Sequence, residues 1–237
     1  MQVIILAGGL GTRLAEETDL IPKPMVQIGS VPIIRHILNH FSAYGFHEFI
    51  IAAGYKASVI SHYFSTESLP QHWKVSVIDT GLETSTGGRL LKLKEFLGER
   101  FMVTYGDGLS NVNLNDLLNF HLDSGKLGTV TAVRPPARFG TLEILNGMVT
   151  KFSEKDPQDV GWINGGFFVF EKLFLEYIQD VDTVLEQEPL RQLASNSQLA
   201  GFEHNDWWHP MDTLRDKREL ESLWNAGSPP WEVTDNV

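Results

Sequence analysis

Val3-Ile4-Ile5-Leu6-Ala7-Gly8-Gly9-Leu10-Gly11-Thr12-Arg13-Leu14 decides the fold class of this chain. Its first four residues are apolar without alternation, the pattern of a strand buried on both faces, and Gly8 and Gly9 end the run abruptly. Such a strand lies inside a sheet with helices on either side. Downstream, Ile33, Ile34, Ile37, Leu38 and Phe41 recur at helical spacing between Pro32 and Gly45. Residues 49–52 then read as a strand, 58–64 as a short helix, 75–78 as a strand, 88–97 as a helix, 101–104 as a strand and 114–122 as a helix. Strands alternating with helices of this length predict an α/β fold, a Rossmann-like three-layer α/β/α arrangement around a mostly parallel sheet, with ligands gathered at the carboxyl ends of the strands.

From Gly128 the rhythm changes. Residues 129–133 and 141–145 read as strands, and Asn146-Gly147 joins the second to 148–152 as a two-residue hairpin. A strand over 166–170, helices over 173–178 and 184–194, a strand over 199–203 and a helix over 214–224 complete the series. No internal repeat, Gly/Ser linker or charged block divides the chain, so residues 1–237 are expected to form one domain.

Composition narrows the ligand class. With 237 residues and 42% hydrophobic content the chain can bury a sizeable core. Thirty acids against nineteen bases give a formal charge of -11, which repels nucleic acid and anionic membranes at long range. A polyanion must therefore meet a local cationic pocket, which suits a small phosphate ester. Cysteine is absent, which excludes disulfides, thiol catalysis and cysteine zinc sites. The apolar run at the N-terminus is too short for a signal peptide, and no stretch approaches the roughly 20 apolar residues of a membrane span. A cytoplasmic protein is expected.

Three glycines after the first strand let backbone amides approach a phosphate chain, and Arg13 closes the loop. The P-loop ending Gly-Lys-Ser/Thr is missing, and Leu14 stands where a dinucleotide fingerprint has its third glycine. A tight strand-to-helix turn is the alternative account of the same glycines. In Pro22-Lys23-Pro24-Met25 two prolines stiffen the segment that presents Lys23, a second cation for the same pocket. Asp107 ends a buried strand in Gly106-Asp107-Gly108, where it either shapes the turn or binds a ligand. Asp212 precedes the final helix and is either its cap or a second acid for the site. Trp207 and Trp208 suit packing more than ligand stacking, and His36 and His40 lack the glutamate of a zincin helix.

Gly-Gly-Leu-Gly-Thr-Arg-Leu at 8–14 followed by Pro-Lys-Pro-Met at 22–25 resembles the signature of the sugar-nucleotide pyrophosphorylases, a nucleotidyltransferase family. Thr86-Gly87-Gly88-Arg89-Leu90, Thr104-Tyr105-Gly106-Asp107-Gly108, Arg138-Phe139-Gly140, Ile163-Asn164-Gly165-Gly166 and Pro210-Met211-Asp212-Thr213 extend the resemblance over nearly the whole chain, toward a branch of cytidylyltransferases acting on glucose 1-phosphate. The resemblance implies transfer of a nucleotidyl group, from CTP to glucose 1-phosphate, with release of pyrophosphate. UTP, dTTP or GTP as donor, or a non-catalytic sugar-nucleotide sensor, are the rival readings. It implies catalytic roles for Arg13, Lys23 and Asp107, and magnesium on Asp107 and Asp212. For the nucleotide it implies Leu6, Ala7, Gly8, Gly9, Gly11 and Thr12 with Arg13 and Lys23, then Thr84, Gly88, Arg89 and Gly106. For the sugar phosphate it implies Gly140, Glu154, Lys155 and Asn164. The half over about 1–127 would then hold the nucleotide and 128–237, including a small lobe, the sugar phosphate. Arg89 is the expected reader of cytosine, its planar guanidinium facing the O2 and N3 acceptors. A homo-oligomer is also implied, although the link between Phe64 and Trp73 is much shorter than the family's usual insertion there.

Overall fold

The first strand, β1 (Gln2–Ala7), divides its side chains between two cores: Val3, Ile5 and Ala7 enter one and Ile4 and Leu6 the other. Burial of each of the larger side chains is worth about 1.5–3 kcal/mol, so the strand anchors the glycine loop that follows it. The structure is a computed structural model and describes residues 1–135, 141–153 and 161–233. After β1 come α1 (Ala15–Thr18), β2 (Gln27–Ile28), β3 (Val31–Pro32), α2 (Ile33–Ala43), β4 (Glu48–Ala53), α3 (Ala57–Thr66), β5 (Lys74–Asp79), α4 (Thr86–Lys92), β6 (Arg100–Tyr105), β7 (Gly108–Ser110) and α5 (Leu114–Ser124). The second half contributes β8 (Gly128–Val133), β9 (Thr141–Leu145), β10 (Met148–Ser153), β11 (Ile163–Glu171), α6 (Glu188–Ser195), β12 (Leu199–His204), β13 (Trp208–Pro210) and α7 (Leu214–Asn225).

One seven-stranded sheet runs in the order β12-β8-β11-β6-β1-β4-β5. β6, β1, β4 and β5 are parallel, and β8 and β12 are parallel to each other. β11 lies between the two sets and is antiparallel to both neighbours. One face packs under Ile33, Ile34, Ile37 and Phe41 of α2, Leu114 and Leu117 of α5 and Leu220 of α7. The other face is covered by Leu90 of α4, Phe174 and Leu175, and Leu193 of α6. This is the three-layer α/β/α arrangement expected, with a mostly parallel sheet. Among the described residues no helix is long and apolar enough to cross a membrane.

The Asn-Gly hairpin forms as anticipated. Asn146 and Gly147 adopt φ of 52° and 82°, and β9 pairs with β10. The helix expected over 88–97 starts two residues earlier as α4, and its final turn tightens into a 3-10 turn at Lys94–Phe96, a common ending. Residues 172–177 are 3-10 rather than α. The helix expected from 184 begins only at Glu188, with Pro189 in its first turn, where a missing N–H costs nothing. Residues 184–187 instead fold back on α4, where Thr86 Oγ1 accepts from the Leu185 amide at 3.0 Å.

Several histidines belong to the packing. His36 and His40 on α2 bond the carbonyls of Ile28 and Val112 at 2.9 and 3.0 Å, and His121 on α5 bonds Thr129 and Glu171. Burial lowers the pKa of all three, that of His40 to about 4. Each takes up its proton at a lower pH in the fold than in the unfolded chain, where the imidazole charges below about pH 6.5. Stability is therefore full above that pH and declines between about pH 6.5 and 4, with His40 alone contributing a loss of roughly 3 kcal/mol. Urea denaturation from pH 7 to 4 should show this decline. His40→Gln, which keeps a donor for Val112, should flatten it, and an unchanged slope would remove His40 from the acid response.

Candidate active site

The carboxyl ends of β1 and β6 open into a cavity of about 630 Å³, bordered also by the loop after β5. On one side the glycine loop turns at Gly11, whose φ of 68° favours glycine, and passes through a 3-10 turn at Thr12–Leu14. Thr18 Oγ1 donates to the Gly11 and Leu14 carbonyls, both at 3.0 Å, and the Tyr55 amide donates to the Gly8 carbonyl at 3.2 Å. The loop is thus fixed from α1 and from the end of β4.

Arg89 fixes it a third time. Its side chain lies under the loop and the residue is 4% exposed. Nη1 donates to the carbonyls of Ala53 and Gly81 at 3.0 and 2.9 Å and to Thr80 Oγ1 at 2.6 Å. Nη2 donates to the carbonyls of Gly8 and Leu82 at 3.1 and 3.4 Å. The four hydrogens of these two nitrogens therefore face five acceptors within the protein. Burial draws the guanidinium below its ordinary pKa while Asp79 opposes the shift. Arg89 is the residue expected to read the base. It borders the cavity, but its terminal donors bind the ends of β1 and β4 and the loop after β5.

Across the cavity, Pro22 (φ −69°) leads into a 3-10 turn at Lys23–Met25. Pro24 seats that turn on Gly106, where an added Cβ would lie 2.9 Å from Pro24 Cγ. Lys23 Nζ thereby reaches Asp107 Oδ2 at 2.6 Å and Asp212 Oδ1 at 2.8 Å. Burial pulls the Lys23 pKa down, but the two carboxylates outweigh it and hold the ammonium above its ordinary value. Asp212 arrives through a two-strand ribbon: β13 pairs antiparallel with β7, and the Met211 amide donates to the Asp107 carbonyl at 2.8 Å. Its competing role as helix cap falls to Thr213, which forms a capping box with Asp216. The Asp212 amide joins that cap, at 3.0 Å from Asp216 Oδ2. Two carboxylates from opposite halves of the chain thus converge on one cationic centre.

Leu6, Ala7, Gly8, Gly9, Gly11, Thr12, Lys23, Thr84, Arg89 and Gly106 border the cavity, as do Asp107 and Asp212. Gly88 is not among the lining residues. A Cβ there would sit 2.1 Å from the Val181 carbonyl oxygen, so its small size lets α4 pack on that loop. Asn164 is linked to the wall through Tyr105, whose hydroxyl it bonds at 3.1 Å. Gly140, Glu154, Lys155 and the Arg13 side chain lie outside the described residues. Sequence reasoning missed Tyr105, Thr86 and Glu186, which line the wall, and favoured packing for Trp208, which borders the cavity while its Nε1 donates to the Gly165 carbonyl at 2.7 Å. Trp207 does pack, against Trp231 and His209.

The nucleotidyl transferase family model matches residues 2–218. A glucose-1-phosphate cytidylyltransferase of Salmonella typhimurium is 44% identical, covering 98% of this chain and 99% of that protein. A protein of Bacillus subtilis named as a probable glucose-1-phosphate cytidylyltransferase is 40% identical, covering 98% and 100%. Among solved structures, HddC from Yersinia pseudotuberculosis complexed with GMP-PN superposes with a TM-score of 0.75 at 25% identity, covering 94% and 99%.

Gly8 and Gly9 provide a local test. A Cβ on Gly8 would lie 2.0 Å from Arg89 Cζ, whereas one on Gly9 meets nothing within 4 Å. Gly8→Ala should cost about 1–3 kcal/mol in denaturant unfolding, and Gly9→Ala less than about 0.5 kcal/mol. Equal costs would mean that Arg89 does not occupy the space beneath Gly8.

Proposed function

The chain belongs to the nucleotidyl transferase family, and from that membership we propose that it transfers a cytidylyl group from CTP to glucose 1-phosphate, releasing pyrophosphate. The observation that carries this is the meeting of Asp107, Asp212 and Lys23 at the rim of a glycine-lined cavity. The identity to the Salmonella and Bacillus proteins supports the choice of donor and acceptor.

In the proposed reaction an oxygen of the sugar 1-phosphate attacks the α-phosphorus of CTP. The new P–O bond forms as the bond to the β-phosphate oxygen breaks, and pyrophosphate leaves with the electron pair. A phosphate monoester with a second pKa near ~6 is already mostly dianionic at neutral pH, so no protein base is needed. The chain must instead align two anions and offset their repulsion. The glycine loop, held by Thr18, Tyr55 and Arg89, presents its backbone to the phosphates without rearranging during reaction. Lys23 supplies a fixed positive charge beside them. Two carboxylates at one cationic centre fit a divalent ion of the magnesium type, which favours one or two carboxylates completed by substrate phosphate oxygens and water. When held by Asp107 and Asp212, magnesium would neutralise phosphate charge at the reacting centre. Arg89 acts on the base indirectly, by fixing the loop around Gly8 and 80–84 against which cytosine would lie. Arg13, Glu154, Lys155, Gly140 and Asn164 complete the proposal on the phosphate and sugar sides, and assembly as a homo-oligomer in the cytoplasm belongs to it.

Pyrophosphate release should be measured with CTP, UTP, dTTP and GTP, each crossed with several sugar 1-phosphates. CTP with glucose 1-phosphate should give the highest kcat/KM. Equal use of all four nucleotides would overturn the cytidylyl assignment, and tight CDP-glucose binding without pyrophosphate release would identify a sensor. Asp107→Asn and Asp212→Asn should each lower kcat by about a hundredfold or more while circular dichroism stays unchanged. Near-normal turnover in either folded variant would remove that residue from the reaction centre.

A further inference from the structure

Glu186 is a carboxylate on the cavity wall for which the phosphate chemistry has no use. It sits in the segment that folds back before α6, and both its oxygens are held. Oε1 accepts the Tyr105 hydroxyl at 2.5 Å and Oε2 the Thr86 hydroxyl at 2.7 Å. A carboxylate accepts about four hydrogen bonds, so positions remain on both oxygens, aimed by these two anchors. Burial and the Glu186 charge both raise the Tyr105 pKa, which keeps the phenol a donor to the carboxylate.

A fixed carboxylate repels phosphate oxygens and accepts hydrogen bonds, so among the substrate groups it suits one rich in hydroxyl donors. Two such groups enter on the reading above, the ribose of the nucleotide and the transferred sugar. The network around Glu186 favours the second. The Tyr105 hydroxyl also accepts from Asn164 Nδ2 at 3.1 Å, and Asn164 lies on β11, on the side of β6 away from β1 and its glycine loop. Trp208, bonded to Gly165 on β11, borders the cavity as well.

We propose that Glu186, aimed by Tyr105 and Thr86, is a specificity-determining residue that accepts a hydroxyl of the transferred sugar. This rests on the nucleotidyl-transfer reading, and wild-type turnover tests that reading separately. The decisive experiment measures kcat and KM of the wild type and Glu186→Gln with glucose 1-phosphate, its 2-, 3-, 4- and 6-deoxy analogues, CTP, and 2′- and 3′-deoxy-CTP. In the variant, KM for glucose 1-phosphate should rise on the order of tenfold while KM for CTP changes by less than about twofold. One deoxy sugar should cost the wild type about tenfold and the variant almost nothing, because the partner of that hydroxyl is already gone. Tyr105→Phe keeps the carboxylate but loses one anchor, and should raise the same KM by a smaller factor. Thermal melts confirm that both variants are folded. Equal hydroxyl penalties in the two enzymes, or a loss of discrimination that appears with deoxy-CTP instead, would overturn the assignment. A wild type that turns over no sugar 1-phosphate would overturn the functional reading and this inference with it.

Discussion

The ammonium of Lys23 between Asp107 and Asp212 is the contact on which the site depends. Two carboxylates cannot converge beside a largely apolar sheet without a cation, since like charges at about 4 Å repel by about 4 kcal/mol at an effective dielectric constant near 20. With the ammonium between them, two attractions of similar size oppose one repulsion. That requirement governs the chain around it. Pro22 and Pro24 stiffen the turn that carries Lys23, Gly106 leaves room for Pro24, and the ribbon of β7 and β13 delivers Asp212 to Asp107. Charge balance at this point therefore closes the structure across both halves of the chain.

Arg89 plays the corresponding part under the glycine loop. It gathers carbonyls from the ends of β1 and β4 and from the loop after β5, adding its donors to the Tyr55 amide at Gly8 and the Thr80 amide at Ala53. Gly8 has no Cβ because the guanidinium fills that space, just as Gly106 has none because Pro24 does. Glycines that read as a phosphate-binding motif thus answer a packing demand at the same positions. In the proposed reaction both demands would serve catalysis, since a loop fixed before the substrate arrives aligns phosphates without reorganising.

What the sequence made legible follows from how local each signal is. β1, α2, β4 and the Asn146-Gly147 hairpin were readable because a buried strand, a helical stripe and a left-handed turn leave patterns within a few residues. Lys23, Asp107 and Asp212 were readable as candidates because glycine and proline punctuation isolates them. Their convergence was legible only through the family resemblance, which puts magnesium on both Asp107 and Asp212; no local pattern carries it. Gly88 and Arg89 read as ligand contacts because the motif around them is nucleotide-like, yet the Val181 carbonyl and the loop acceptors decide their surroundings. Glu186 was hidden in a run that looks helical from 184 onward; only the fold shows that the helix waits until Glu188. The direction of β11 was equally hidden, since a strand buried on both faces carries the same apolar pattern whether parallel or antiparallel.

That direction has the largest consequence for the site. β6 ends at the cavity with Tyr105, so β11, antiparallel to it, begins there with Ile163, Asn164 and Gly165. β8 is antiparallel to β11 in turn, and Val133 at its carboxyl end pairs with Ile163. The chain therefore leaves the sheet and re-enters it at the same edge, with no crossover, and everything between β8 and β11 departs from and returns to the rim of the cavity. A parallel β11 would have carried that excursion to the opposite end of the sheet. One side of the cavity is built by parallel strands and helical crossovers that collect loop ends at one edge. The other side is built by reversing one strand, which keeps the excursion between β8 and β11 at the same edge and brings Asn164 to the Tyr105 hydroxyl that also bonds Glu186.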